Sequence, residues 1–216
     1  MKFRSRVLPV VAVAAALAGC SREGELVVNQ GVGITAVLSS CPTVGIPDYL
    51  GDVTTFQGAG GFTYANLDMS ATMTNLRATC DDTGEKVYSE ATFDIVAQRA
   101  DVRGSRTVTL PYFVTVLRGG TAVVTKRVGE VTLSFADGSA RAEASGKAGS
   151  FVDRSASTLP EDIRERITRK RRAGDIDAAL DPLADTEVKA AIARSRFEML
   201  VGFQLTEEQL KYNATR

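Results

Sequence analysis

The sequence predicts a mainly β protein, an immunoglobulin-like antiparallel β-sandwich that carries a helical insertion of about three short helices. Three observations predict it. Runs near residues 67–80, 87–98, 108–116 and 131–135 alternate apolar and polar side chains with a period of two. Turn-forming residues separate those runs at hairpin spacing: Asp81, Asp82, Thr83 and Gly84, then Gly119 and Gly120, then Asp137 and Gly138. After Gly138 the composition shifts to Ala, Arg, Glu and Asp, and strand patterning returns only at Phe197.

In chain order, the first element is not part of the fold. Lys2, Arg4 and Arg6 precede an apolar run over residues 7–17, which ends in Leu17-Ala18-Gly19-Cys20. A membrane-crossing helix needs about 20 apolar residues, and this run is shorter and broken by Pro9. The pattern resembles the bacterial lipoprotein signal, which implies cleavage before Cys20 and acylation of that cysteine. The alternative is an ordinary secretory signal whose cleavage site happens to end in cysteine. By the same resemblance, Ser21 implies sorting to the outer membrane on its periplasmic face, with the inner membrane left open. The expected organisation is therefore a signal peptide at 1–19, a lipidated tether at 20–40, and a sandwich domain at 41–216 with its helical insertion at about 140–195.

Removing Lys2, Arg4 and Arg6 turns 26 basic against 26 acidic residues into 23 against 26, a formal charge of about minus three. Near-neutrality argues against a nucleic-acid partner, which calls for a strong basic excess. With Cys20 committed to lipid, Cys41 and Cys80 remain as an even pair in an oxidising compartment and are expected to bond. Closing that loop stabilises a fold by roughly 4 kcal/mol on the chain-entropy argument. The alternative is two buried free thiols.

The tether leads into a first strand near residues 34–38. Residues 51–65, rich in Gly, Thr and aromatics, follow, and Gly58-Ala59-Gly60-Gly61 within them reads as a surface loop because its spacing fits neither a dinucleotide fingerprint nor a P-loop. Leu67, Met69, Ala71 and Met73 alternate, and Leu76, Ala78 and Cys80 continue in a new phase. Val87, Ser89, Ala91, Phe93, Ile95 and Ala97 line one face of the return strand. Val108, Leu110, Tyr112, Val114 and Val116 form the next, with Pro111 expected at an edge or a bulge because it lacks a donor. Val131, Leu133 and Phe135 close this series. Thr158-Leu159-Pro160-Glu161 fits a capping box for a helix running to Gly174, with Ile163 and Ile167 as an apolar seam that needs a partner. A short helix over 176–180 and another opened by Thr186, with Val188, Ala191 and Ile192 on one face, complete the insertion. Phe197, Met199, Val201 and Phe203 form a closing strand, and Thr206 with Gln209 caps a last helical turn.

The chain has no histidine, so the commonest general base and the commonest metal ligand are both absent. Two thiols without histidine make a poor zinc set, so no metal and no cofactor are expected. The acidic pairs Asp81-Asp82 and Glu207-Glu208 fall at a turn and a helix start, where acids are ordinary, and no catalytic residue is assigned. Phe56, Phe62, Tyr64 and Tyr112 are expected to fill a core that has no Trp. The densest charge is Arg164, Arg166, Arg169, Lys170, Arg171 and Arg172, expected along one helix. Two readings stay open for it: a solvated helix end complementing the macrodipole, or a contact patch for anionic headgroups or an acidic partner.

Cys20, Cys41-Pro42-Thr43-Val44, Leu110-Pro111-Tyr112-Phe113-Val114 and the segment from Val201 to Asn213 together resemble a family of uncharacterised alphaproteobacterial envelope lipoproteins. The resemblance spans nearly the whole mature chain and implies no activity, cofactor or catalytic residue. The expected function is that of a non-enzymatic, membrane-anchored periplasmic scaffold or interaction module in envelope assembly or maintenance. Its partners would be the membrane, through the N-terminal acyl chains, and another envelope protein. The alternative is a binding protein for a small or lipidic ligand held between sandwich and helices, which a deep apolar pocket open to solvent would favour.

Overall fold

The computed structural model describes residues 39–58, 61–169, 174–176 and 180–216. Cys20, the expected strand near 34–38, the short helix over 176–180, and Lys170, Arg171 and Arg172 therefore lie wholly or mostly outside the described residues. The strands are β1 (Thr43–Gly45), β2 (Asp52–Phe56), β3 (Leu67–Asp81), β4 (Lys86–Arg99), β5 (Arg106–Arg118), β6 (Ala122–Phe135), β7 (Arg141–Asp153) and β8 (Phe197–Phe203). They form two four-stranded sheets, β1-β8-β5-β6 and β2-β3-β4-β7. Every pairing is antiparallel except β1 with β8, so the expected sandwich is present.

The core lies between the sheets, and it forms because the period-two pattern sends alternate side chains inward. Phe93 and Ile95 from β4, Leu133 and Phe135 from β6, and Met199 and Phe203 from β8 are buried there. The phase change in β3 has a local cause. Pairing with β4 slips between Thr74 and Arg77, and Asn75 takes a φ of 52°; this bulge turns the alternation over. Gly119 and Gly120 take φ values of 61° and 76°, as a tight hairpin requires.

Two polar groups pin one end of the sandwich. Asp68 of β3 receives both ends of the Arg106 guanidinium of β5, at 2.6 and 2.8 Å, and so joins the sheets. Arg99 is only 3% exposed, yet among the described residues its hydrogen bonds go to carbonyls rather than to a carboxylate. Its guanidinium donates to the carbonyls of Ser139, Val102, Gly104 and Ala136 at 2.8–2.9 Å and stacks over Phe135.

Several expectations need correction. The helical stretch begins at Arg154, not near residue 140, because residues 141–153 form β7, the edge strand that pairs with β4. β7 reads poorly as a strand because it is built of small residues. An added Cβ at Gly146 would come within 2.5 Å of the Phe93 ring, so bulk is supplied from across the sheet. β1 and β2 were not expected as strands; β2 lies in the segment read as Gly-rich and aromatic. β5 is an interior strand, yet Pro111 still meets no donor requirement. Its carbonyl receives Gln204 N–H just past the last β5–β8 pair, Tyr112 with Phe203, so its nitrogen faces where β8 has left the sheet.

The insertion carries α1 (Arg154–Ser157), α2 (Glu161–Thr168) and α3 (Thr186–Ser195), and α4 (Glu207–Thr215) closes the chain. No capping box forms at Thr158. Its hydroxyl donates back to the Arg154 carbonyl at 2.7 Å, Pro160 is the N-cap, and α2 ends at Thr168, well short of Gly174. The seam finds its partner all the same: Ile163 and Ile167 pack with Leu159, Val188 and Ala191 in a small second core. Asp185 caps α3 through the amides of Glu187 and Val188, while α4 has the expected box with Thr206 and Gln209 bonded in both directions. Of the aromatics assigned to the core, Tyr112 packs against Phe93, but Phe62 and Tyr64 are 52% and 92% exposed. Phe62 instead joins Phe56 and Tyr212 in a surface cluster with centroids about 5 Å apart.

Candidate functional site

The insertion does not lie flush on the sandwich. Between them opens a cleft of about 620 Å³, within the size range of small-molecule sites. Leu159, Ile167 of α2, Ile192 of α3 and Phe197 at the start of β8 border it, of which all but Ile192 are buried in the two cores. These positions follow from the amphipathic pattern of the two helices, which turns its apolar stripe inward.

One wall is the segment just before β1. Cys41 is bonded to Cys80, as expected from the cysteine count, and Ser40 Oγ donates to Asp82 at 2.8 Å. Together they fasten residues 39–41 to the β3–β4 turn. The opposite wall begins where β7 ends. The Arg154 amide continues the ladder to Glu85 O at 2.9 Å, and its guanidinium donates to Thr83 O at 3.2 Å. The third wall is the end of α3, tied to the β5–β6 hairpin by Gly119 N–H on Arg196 O and by the Arg118 guanidinium on Arg194 O.

Arg154, Arg164 and Arg196 line this cleft, with Asp82 as the only acid in its lining among the described residues. Arg164 pairs with Glu161 one turn earlier, and both are more than half exposed. The Arg196 side chain makes no ion pair or hydrogen bond among the described residues. Arg154 and Arg196 carried no signal in the sequence, since neither sits in a charge run or motif; only their places at element ends bring them here.

Of the basic cluster read from the sequence, only Arg164, Arg166 and Arg169 are among the described residues, and these three point to different surroundings. Arg164 faces the cleft, whereas Arg166 turns to Asp185 and Glu187 at 2.8 and 2.7 Å. Arg169 stands at the C-cap, beyond the helix. Of the acidic pairs, Asp81 accepts the Thr83 hydroxyl at 2.7 Å and its amide at 3.0 Å. Those bonds hold its carboxyl below the ordinary value. Glu207 and Glu208 occupy the first turn of α4. Among the described residues no cluster of three or more His, Cys, Asp or Glu could hold a metal, and no helix is long and apolar enough to cross a membrane. Comparison with known protein families, with curated proteins and with solved structures finds no match to this chain.

Proposed function

We propose that this chain is a lipid-anchored, non-enzymatic envelope protein on the periplasmic side of the outer membrane, and that its folded part is a binding module working through the cleft. One observation carries the reading: a concavity of about 620 Å³ opens between the helices and the sandwich, with Arg154, Arg164 and Arg196 among a mixed polar and apolar lining. Concave sites of this size are where small ligands seat. The basic n-region, the apolar run and Cys20 support the anchor.

The chain has no Trp, so Ser195→Trp at the cleft wall gives a single fluorescent reporter. Titrating this variant with a panel of anionic, neutral and cationic amphiphiles and simple sugars should give a saturable emission change with at least one of them. Silence across the panel overturns the cleft as the working site. Mass spectrometry of protein isolated from its host should find diacylglycerol on Cys20, and Cys20→Ser should move the protein out of the membrane fraction. An unmodified Cys20 overturns the anchor.

A second reading, the scaffold, is favoured by β6. This strand ends its sheet and exposes Val123, Val124 and Val128 by 65%, 55% and 59%, and open apolar edges pair readily with other strands. A photocrosslinker at Val124 should then capture one defined envelope protein in cells, and Val124→Lys should abolish the capture. Capture that survives Val124→Lys, or none at all, overturns the scaffold.

A further inference from the structure

The corner built by β2, the loop after it and α4 exposes more aromatic surface than its packing uses. Residues 53–67 run for fifteen positions without a charged side chain, in a chain of which 24% is charged. Within that run Phe62 is 52% and Tyr64 92% exposed. The loop bonds to itself: Gln57 N–H donates to Asn66 O at 2.8 Å, Asn66 N–H to Thr63 O at 3.0 Å, and the Asn66 side chain to Gly61 O at 3.2 Å. Phe62 leans on Phe56 and on Tyr212 of α4.

A third ring is presented against backbone preference. Leu50 N–H closes a turn on Pro47 O at 3.2 Å, and Tyr49 stands third in it with a φ of 65°. Glycine or asparagine is the usual occupant of such a position, and a bulky residue there is strained. Packing does not offset the strain, since Tyr49 is 56% exposed. Strain of this kind persists where the side chain it presents is used. Asn213 of α4 ties the turn to the same corner by donating to the Tyr49 and Asp52 carbonyls, both at 2.8 Å.

Electrostatics narrow the partner. Asp52 and Asp68 bracket the uncharged run and are paired with Arg216 and Arg106, while Asp48 beside Tyr49 offers nothing to an anionic headgroup. Exposed Tyr and Phe without net charge suit the boundary between headgroups and acyl chains, where amphipathic rings settle. The contact is necessarily shallow, because a loop backbone cannot enter the hydrocarbon. Ser39 lies 19 residues after Cys20, a span of at most about 65 Å, so an acylated Cys20 keeps the domain beside a bilayer.

We infer that Tyr49, Phe62 and Tyr64 form a second, uncharged contact with the lipid surface, at headgroup depth. The choice of lipid over a protein rests on the Cys20 anchor proposed above, and the cleft plays no part in it.

Tyr64→Trp and Tyr49→Trp each supply a single fluorescent reporter. Acylated protein isolated from its host is reconstituted into phosphatidylcholine vesicles that carry a nitroxide either near the headgroup or at the chain end. Both reporters should shift to the blue and lose at least half their emission to the shallow nitroxide, with at least twofold less quenching by the deep one. Raising salt or adding phosphatidylglycerol should change neither, which separates this contact from headgroup binding by the basic cluster. Val123→Trp, on β6 in the other sheet, should keep its emission. Tyr64→Ser, at a side chain too exposed to support the fold, should at least halve the quenching of Tyr49→Trp and leave the unfolding midpoint unchanged. Quenching no greater than that of Val123→Trp overturns the inference, and quenching abolished by salt overturns its uncharged character. Silent reporters together with capture of one protein by a photocrosslinker at Tyr64 in cells would assign the corner to that protein instead. If Cys20 proves unmodified, the reporters are read on protein added from solution to excess vesicles: quenching then upholds the contact without the anchor, and silence overturns both.

Discussion

Arg99 continues the inward register of β4 two residues beyond Ala97, where the alternation calls for an apolar side chain. A buried cation ordinarily needs an anion, but here four carbonyls from the β4–β5 and β6–β7 connections satisfy it. It therefore acts as a fastener for two loops at once. Arg99→Ala leaves those carbonyls buried without a donor and should lower stability on the order of 3 kcal/mol in urea unfolding. Arg99→Lys should recover only part of it, since an ammonium cannot span the same carbonyls. Asp68 supplies a titratable counterpart. The bidentate Arg106 guanidinium, helped by Gln57 and Thr55 and opposed by burial, lowers its pKa from 3.8 to about 2. A depressed carboxyl contributes stability above its unfolded pKa and loses it as pH falls through the folded one. The stability gap between wild type and Asp68→Asn should hold near neutral pH, on the order of 2 kcal/mol, and shrink between about pH 5 and pH 2. A gap independent of pH over that window would show that the Asp68–Arg106 pair does not join the sheets energetically.

At the scale of elements, β7 depends on being thin. A Cβ at Gly146 would lie 2.5 Å from Phe93 Cζ, 2.6 Å from Cε2 and 3.0 Å from Val131 Cγ2, all within the packed core, where overpacking costs about 1–3 kcal/mol. Gly146→Ala should destabilise by that amount, and the same change in a Phe93→Leu background should cost less than half as much, measured as a double-mutant cycle. Gly149→Ala meets the Tyr88 hydroxyl at 2.7 Å, but that ring sits on the outer face and can swing away, so its cost should be smaller. This thinness also explains what the sequence concealed. β3 through β6 and β8 were legible because their inward positions carry Met, Phe, Ile, Val and Leu at strict alternation. Residues 142, 144, 146 and 148 are Ala, Ala, Gly and Ala, a run that reads as helix because its bulk is donated by neighbours far away in sequence. The Ile163–Ile167 seam was legible as a helix face, yet its end at Thr168 was not, since no Gly or Pro marks it. The cleft was the least legible feature: Arg154, Arg196 and Ser40 come from three element ends that only the closed sandwich brings together.

Over the whole molecule, the weakest join is where the described chain enters the sandwich. β1 is three residues long and pairs with β8 alone, in parallel, which gives it little cooperative support of its own. The Cys41–Cys80 bond spans 39 residues of sequence and compensates by fixing the start of β1 to β3 in the other sheet. On the chain-entropy argument its removal costs about 4 kcal/mol at most, and the loss is not evenly shared. In Cys41→Ser with Cys80→Ser, the amide of Val44 should exchange with solvent much faster, while those of Ile95 and Leu133 in the central strands should slow or quicken only with global stability. Because residues 39–41 are also a wall of the cleft, the same double variant should weaken any occupant detected by the Ser195→Trp reporter before the sandwich itself melts. Hydrogen exchange and fluorescence on one sample decide it: uniform loss of protection across β1, β4 and β6, with cleft binding lost only at the global transition, would mean that the bond stabilises the fold as a whole and does not hold the site.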